Sequence, residues 1–275
     1  MEEQNKDNIQ EEKPVIEVRN LIKNFGKRRI LNGVNLNVYK GEVMVIMGGS
    51  GCGKSTLLRH IVGTLKPNEG QVLIEGTDIN AAKPQELNKI RRRIGMLFQS
   101  GGLLDYMNIK DNIALPLREH TNLDEKVIDI IVNLKLSMVN MRGMGHLLPA
   151  EISGGMKKRA GLARAIALDP AFVFYDEPTA GLDPVVAGVI DKLILDFSKK
   201  LSVTSVVVTH DMQSVFRIAS RIAMLHKGEI VTVGTKEEIK NSDDELVQQF
   251  INGKPEGPIS FLQKGDNYLK ELTQK

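Results

Sequence analysis

Eight consecutive residues, Gly48-Gly49-Ser50-Gly51-Cys52-Gly53-Lys54-Ser55, have the spacing G-x-x-x-x-G-K-S. They follow an apolar run, Val43–Met47, and precede a segment of helical character. Glycines at these positions let the chain wrap with its N–H groups pointing inward, and a helix start directly behind adds the positive end of its dipole. The result is a cradle for phosphate. Lys54 is placed to reach β- and γ-phosphates, the Ser55 hydroxyl to ligate Mg²⁺, and Thr56 to add a phosphate hydrogen bond. Cys52 reads as a small residue tolerated in the loop. Taken alone, such a string is a glycine-rich turn; between a buried strand and a helix it is a binding loop.

A second group with chemistry is Phe172-Val173-Phe174-Tyr175-Asp176-Glu177, an apolar strand that ends in two carboxylates. Asp176 is expected to hold Mg²⁺ through its water shell. Glu177, one residue on and pointing elsewhere, is expected to polarise an attacking water. Ser153-Gly154-Gly155, opening a helix, makes a further anion site from a hydroxyl, exposed N–H groups and a helix dipole. Cradle and carboxylates together describe cleavage of a nucleoside triphosphate. At this level kinases, GTPases and helicases remain open.

These groups need a scaffold that brings strand ends together. Val15–Val18 and Val34–Val38 alternate as strands, with Phe25-Gly26-Lys27-Arg28 as a turn between them. Val43–Met47, Ala171–Tyr175 and Val203–Val208 are continuous apolar runs, as expected of strands buried on both faces. A helix is predicted from Lys54 to about Thr64, and others over 108–118, 124–136 and 154–168. Helical signals return after Gly234, to about Ile251, before Pro255, Gly257 and Pro258 break regular structure. Strands alternating with helices predict an α/β fold with a mainly parallel sheet and a helical insert.

Composition sets the limits. The 275 residues are 41% hydrophobic and 26% charged, ordinary for a globular chain, and a net charge of +3 is too small to argue for nucleic acid. Lys89-Ile90-Arg91-Arg92-Arg93 reads as the solvated face of a helix, and no nucleic-acid partner is expected. Residues 1–13 carry five acidic side chains against two lysines and almost nothing apolar, so a disordered acidic leader without signal-peptide character is expected. No apolar run approaches the roughly 18 to 20 residues that span a bilayer. The single cysteine fits a reducing compartment. His60, His120, His146 and His226 have no metal-ligand spacing.

Ile152-Ser153-Gly154-Gly155-Met156 and the helix Lys157–Leu168, just ahead of the 172–177 strand, resemble the ABC ATPase signature. The resemblance implies a P-loop NTPase of ABC type: a RecA-like, mainly parallel core, an N-terminal antiparallel β subdomain and a helical subdomain over about 100–168, the ATPase domain spanning 14–251. It also implies a head-to-tail dimer that hydrolyses ATP with Mg²⁺, Ser153, Gly154 and Gly155 of one subunit closing over the γ-phosphate held by the other. Gln99, after the expected strand Ile94–Phe98, resembles the Q-loop glutamine that senses Mg²⁺ and the membrane partner, and is grouped with both the catalytic and the metal-binding residues. Ala180-Gly181-Leu182-Asp183 resembles the D-loop, and His210 the switch histidine that contacts the γ-phosphate. Phe25 matches the aromatic that stacks on adenine.

Three segments resemble more narrowly the ATPases of Mce/Mla-type phospholipid transport systems: Met156 closing the signature, the block 97–121, and 247–259. That likeness implies a peripheral subunit on the cytoplasmic face of the inner membrane. It further implies a separate permease docking near 99–121, an MCE-domain substrate-binding protein and a small STAS-domain subunit. For the extension 252–275, two readings stand open: a segment lying across the neighbouring ATPase subunit, or a free end. The alternatives to a lipid-transport ATPase are the ATPase of another importer and a soluble ABC protein acting on DNA or ribosomes.

Overall fold

The computed structural model describes residues 13–259. The acidic leader, apart from Lys13, and the apolar tail residues Phe261, Leu262, Tyr268, Leu269 and Leu272 lie outside them. Strands β1 (Ile16–Phe25) and β2 (Arg28–Val38) form a long hairpin that turns where expected, with β1 running on well past Val18 and β2 beginning well before Val34. Next come β3 (Val43–Met47), α1 (Lys54–Ile61), β4 (Glu69–Ile74), β5 (Thr77–Asp78), α2 (Pro84–Arg92) and β6 (Ile94–Leu97). The helical stretch holds α3 (Ile109–His120), α4 (Glu125–Met138) and α5 (Gly154–Ala165). Then follow β7 (Phe172–Asp176), α6 (Pro184–Leu201), β8 (Thr204–Thr209), α7 (Met212–Ile218), β9 (Arg221–His226), β10 (Glu229–Thr235), α8 (Lys236–Lys240) and α9 (Glu245–Asn252).

The strands build two sheets. One is antiparallel, in the order β2-β1-β4-β5; the other has six strands in the order β10-β9-β3-β8-β7-β6, parallel except for the edge strand β10. β3 shows why the central strands read as unbroken apolar runs. Val43, Val45 and Met47 pack into one core with α3 to α7, whereas Met44 and Ile46 pack into a second with β1, β2 and α1. Both faces of the sheet are therefore buried, and period-two alternation has no polar side to report.

α1 ends at Ile61, three residues before the predicted limit, because Gly63 (φ 72°) turns the chain and its N–H returns to the His60 carbonyl. Four strands, β4, β5, β9 and β10, have no counterpart in the sequence reading. In the helical stretch, Asn112 is fully buried and knits the preceding segment to α3: its side chain accepts from the Leu104 N–H and donates to the carbonyls of Leu104, Met107 and Asn108.

Candidate functional site

The carboxyl ends of the adjacent parallel strands β3, β8 and β7 carry, in turn, the glycine loop, Thr209–His210 and Asp176–Glu177. This is where open α/β sheets place ligands. The loop is shaped by its glycines. Gly48 sits at φ 156°, and a Cβ there would stand 2.2 Å from the Leu225 carbonyl oxygen of β9. Gly53 (φ 112°) turns the chain into α1, where a Cβ would come within 2.9 Å of the Leu31 side chain. Lys54, on the first turn of α1, is buried and donates to the carbonyls of Gly48 (2.8 Å) and Gly49 (3.1 Å). Its ammonium also lies 3.9 Å from Glu177 Oε1.

Ser55 Oγ donates to Asp176 Oδ1 at 2.9 Å, so two of the three expected cation ligands already touch, Gln99 standing apart from them. One hydroxyl and one carboxylate suit Mg²⁺, which keeps several waters and takes phosphate oxygens besides. A cleft of about 250 Å³ runs along the loop, lined by Gly51, Gly53, Lys54, Ser55 and Thr56 on one side and by Phe25, Arg28 and Ile30 on the other. Phe25 is 52% exposed, with the Lys23 ammonium 5.3 Å from its ring centre. An exposed aromatic beside a phosphate cradle is a fitting surface for a nucleobase. Cys52 lies in the loop, and burial pushes its thiol up against the opposing pull of Lys54, so it stays protonated. This fits the bland reading of that residue.

Glu177 is the most constrained residue of the group. Of the seven non-glycine residues at positive φ among the described residues, it alone is buried (φ 48°). Such a conformation costs on the order of 1–3 kcal/mol and is kept only where its surroundings enforce it. They do. The Glu177 N–H donates to the Val208 carbonyl (2.9 Å), and its carbonyl accepts from Lys158 Nζ (2.9 Å). Its carboxylate accepts from Thr209 Oγ1 (3.2 Å) and meets His210 Nδ1 at 2.9 Å. The result is a carboxylate with a fixed direction and, through His210, one exposed partner.

The remaining predicted residues stand apart from this cluster. Ser153 caps α5, its Oγ accepting from the Met156 N–H at 3.3 Å, and Ser153 and Gly154 are exposed. Gly155 is buried because Val186 of α6 sits where its Cβ would be, at 2.5 Å. Asp183 is exposed and caps α6 through the N–H groups of Val185 and Val186. Gln99 lies just past β6, exposed, and makes no side-chain hydrogen bond among the described residues. The segment carrying it is pinned to α5, since a Cβ at Gly161 would come within 2.5 Å of the Gly101 carbonyl oxygen.

Sequence reasoning passed over Thr209 and Lys158. Thr209 could have been found as the residue before His210 at a strand end. Lys158 lies on the same face of α5 as the buried Gly155 and Leu162, and a lysine at a core position of an amphipathic pattern is itself a signal.

A family model described as "ABC transporter" matches residues 31–180. The chain belongs to the ABC transporter family. It is an ATP-binding and ATP-hydrolysing member, and its phosphate loop, Ser-Gly-Gly helix and carboxylate strand all fall inside the matched segment. Its relatives include the intermembrane phospholipid transport system ATP-binding protein MlaF of Haemophilus influenzae, 45% identical over 94% of this chain and 98% of that protein. The MlaF of Escherichia coli is 42% identical over 94% and 96%. A Mycobacterium leprae protein described as a probable ribonucleotide transport ATP-binding protein, mkl, is 44% identical over 91% of this chain and 72% of its own length. Among solved structures, a dimeric ATP-binding cassette in a post-hydrolysis state with ADP and phosphate superposes with a TM-score of 0.74 at 32% identity, covering 80% of this chain and 98% of that one. Among the described residues, no helix of this ABC protein is long and apolar enough to cross a membrane.

Proposed function

We propose that this chain is the motor subunit of a phospholipid transporter of Mce/Mla type, hydrolysing ATP as a dimer and driving a separate permease. One observation supports the hydrolytic part most directly: a buried, left-handed Glu177 whose carboxylate is aimed by Thr209 and His210 and lies 3.9 Å from Lys54. In this reading the Lys54 ammonium exchanges its two loop carbonyls for β- and γ-phosphate oxygens, and the loop N–H groups hold the rest of the polyphosphate. Glu177 accepts the proton of the attacking water. His210, hydrogen-bonded to the same carboxylate, orients it and reaches the γ-phosphate from its exposed side. Mg²⁺, held by Ser55 and Asp176, would neutralise charge on the phosphate oxygens.

The other half of the site comes from a second copy of the chain. Ser153, Gly154 and Gly155 offer a hydroxyl and helix N–H groups, and Asp183, exposed at the start of α6, joins them through its resemblance to the D-loop. Gln99 would link the nucleotide to the permease. A groove of about 250 Å³ lined by Arg91, Phe98, Pro116, His120 and Arg164 borders the 99–121 block through Pro116 and His120, and in this reading a permease segment would sit there. We assign residues 14–251 to the ATPase domain with a helical subdomain over about 100–168, and the MCE-domain and STAS-domain proteins as further partners at the cytoplasmic face of the inner membrane.

Co-purification from detergent-solubilised membranes tests this function. A permease and an MCE-domain protein recovered with the chain are the expected result. Recovery with ribosomes or DNA and no membrane protein would overturn it. Recovery of a permease that moves ribonucleotides rather than lipid would keep the motor and replace its cargo, in line with the description of the mycobacterial relative.

A further inference from the structure

Lys158 is 4% exposed and forms no ion pair among the described residues. Its one hydrogen bond there goes to a neutral acceptor, the Glu177 carbonyl, at 2.9 Å. Burial pushes its pKa down, against the pull of the Glu177 and Asp176 carboxylates. An ammonium kept in such a place adds little to stability, because an apolar side chain of similar volume would fill the space without the cost of desolvation. Its value lies in what it holds.

The carbonyl it holds belongs to the strained residue. With the Glu177 N–H tied to Val208 and its carbonyl tied to Lys158, the peptide groups on both sides of Glu177 are fixed. The direction of its side chain is thereby set before Thr209 and His210 grip the carboxylate. Lys158 also stands about one turn into α5, the helix capped by Ser153. A shift of that helix start must therefore be felt at the Glu177 backbone.

We propose that Lys158 is a positioning residue that ties the Ser153–Gly155 helix start to the orientation of Glu177 within one chain. The proposal rests on the reading of Glu177 as the catalytic base. In a dimer, Ser153 and Glu177 of one chain serve different nucleotides, so Lys158 is the short mechanical link between the two ATP sites.

In the full-length protein, Lys158→Met is expected to lower kcat about tenfold or more while KM and the affinity for a non-hydrolysable ATP analogue stay within about twofold. Lys158→Arg, which keeps a donor of sufficient length, is expected to recover most of the rate. If Lys158→Met gives no folded protein, Lys158→Gln is read in its place: its donor is too short for the Glu177 carbonyl, and the same loss of kcat must follow. Unchanged kcat in the Met or Gln variant overturns the proposal. So does a loss of analogue affinity that matches the loss of kcat, or a failure of Lys158→Arg to restore the rate. Glu177→Gln measured alongside separates the two claims. Normal hydrolysis by Glu177→Gln removes the base itself, whereas an inactive Glu177→Gln beside a fully active Lys158→Met removes only the role of Lys158.

Discussion

The strand-end cluster and the exposed helix starts differ in how much of their hydrogen bonding is complete within one chain. At the strand ends, Lys54, Ser55, Asp176, Glu177, Thr209 and His210 are joined to one another or to the loop by contacts of 2.8 to 3.9 Å. At the helix starts, Ser153 and Asp183 only cap their own helices and otherwise face outward. In the proposed function the first region binds and cleaves the nucleotide. The second presents donors to something the single chain does not contain. A composite site is the arrangement that uses both, and Lys158 is the contact that runs between them.

The sharpest way to test this division is to disable chemistry without disturbing binding. Glu177→Gln should slow hydrolysis by about 10² to 10⁴ while nucleotide affinity is retained, read by single-turnover kinetics beside a binding titration. Ser153→Ala should lower hydrolysis about 10²-fold, as expected for loss of one donor to transition-state charge, with binding by isolated subunits unchanged. If Ser153→Ala instead abolished binding to a single chain, the two regions would not be separate. Lys54→Ala moves the effect to the other side: the dissociation constant for ATP should rise about 10- to 100-fold, the value of one or two charge-assisted hydrogen bonds. The smallest effect distinguishes a cap from a contact. Asp183→Ala and Asp244→Ala each remove a helix N-cap worth about 1 kcal/mol in thermal or denaturant unfolding. Only Asp183→Ala should also reduce ATPase activity; equal activities would reduce Asp183 to a structural cap.

Much of the strand-end region was legible because its chemistry is local in sequence. The loop, its strand and its helix are contiguous, and Val43–Met47 is the observed β3 to the residue. The helices at 109–120, 125–138 and 154–165 also follow the expected pattern, each opened by a side-chain cap at Asn108, Asp124 or Ser153. What stayed hidden depends on register between distant segments. β4 and β9 gain their strand character from pairing with β1 and β3, and β5 and β10 are edge strands whose partners complete them. Lys158 meets Glu177 across nineteen residues of chain through a backbone carbonyl, which no side-chain motif encodes. Gln99 shows the opposite limit: its place in the sequence is clear, but its exposed side chain gains meaning only from a ligand or partner.

The two loop carbonyls that hold Lys54 also bear on how a turnover ends. A buried ammonium left bare when nucleotide departs would make release costly, and product would linger. If Lys54 holds phosphate as proposed, the oxygens of Gly48 and Gly49 take the place of phosphate oxygens, and departure is an exchange of partners for Lys54 rather than a loss. On that proposal the carbonyls that compete mildly with incoming ATP also keep spent nucleotide from becoming a trap, with backbone atoms that no side-chain substitution can remove.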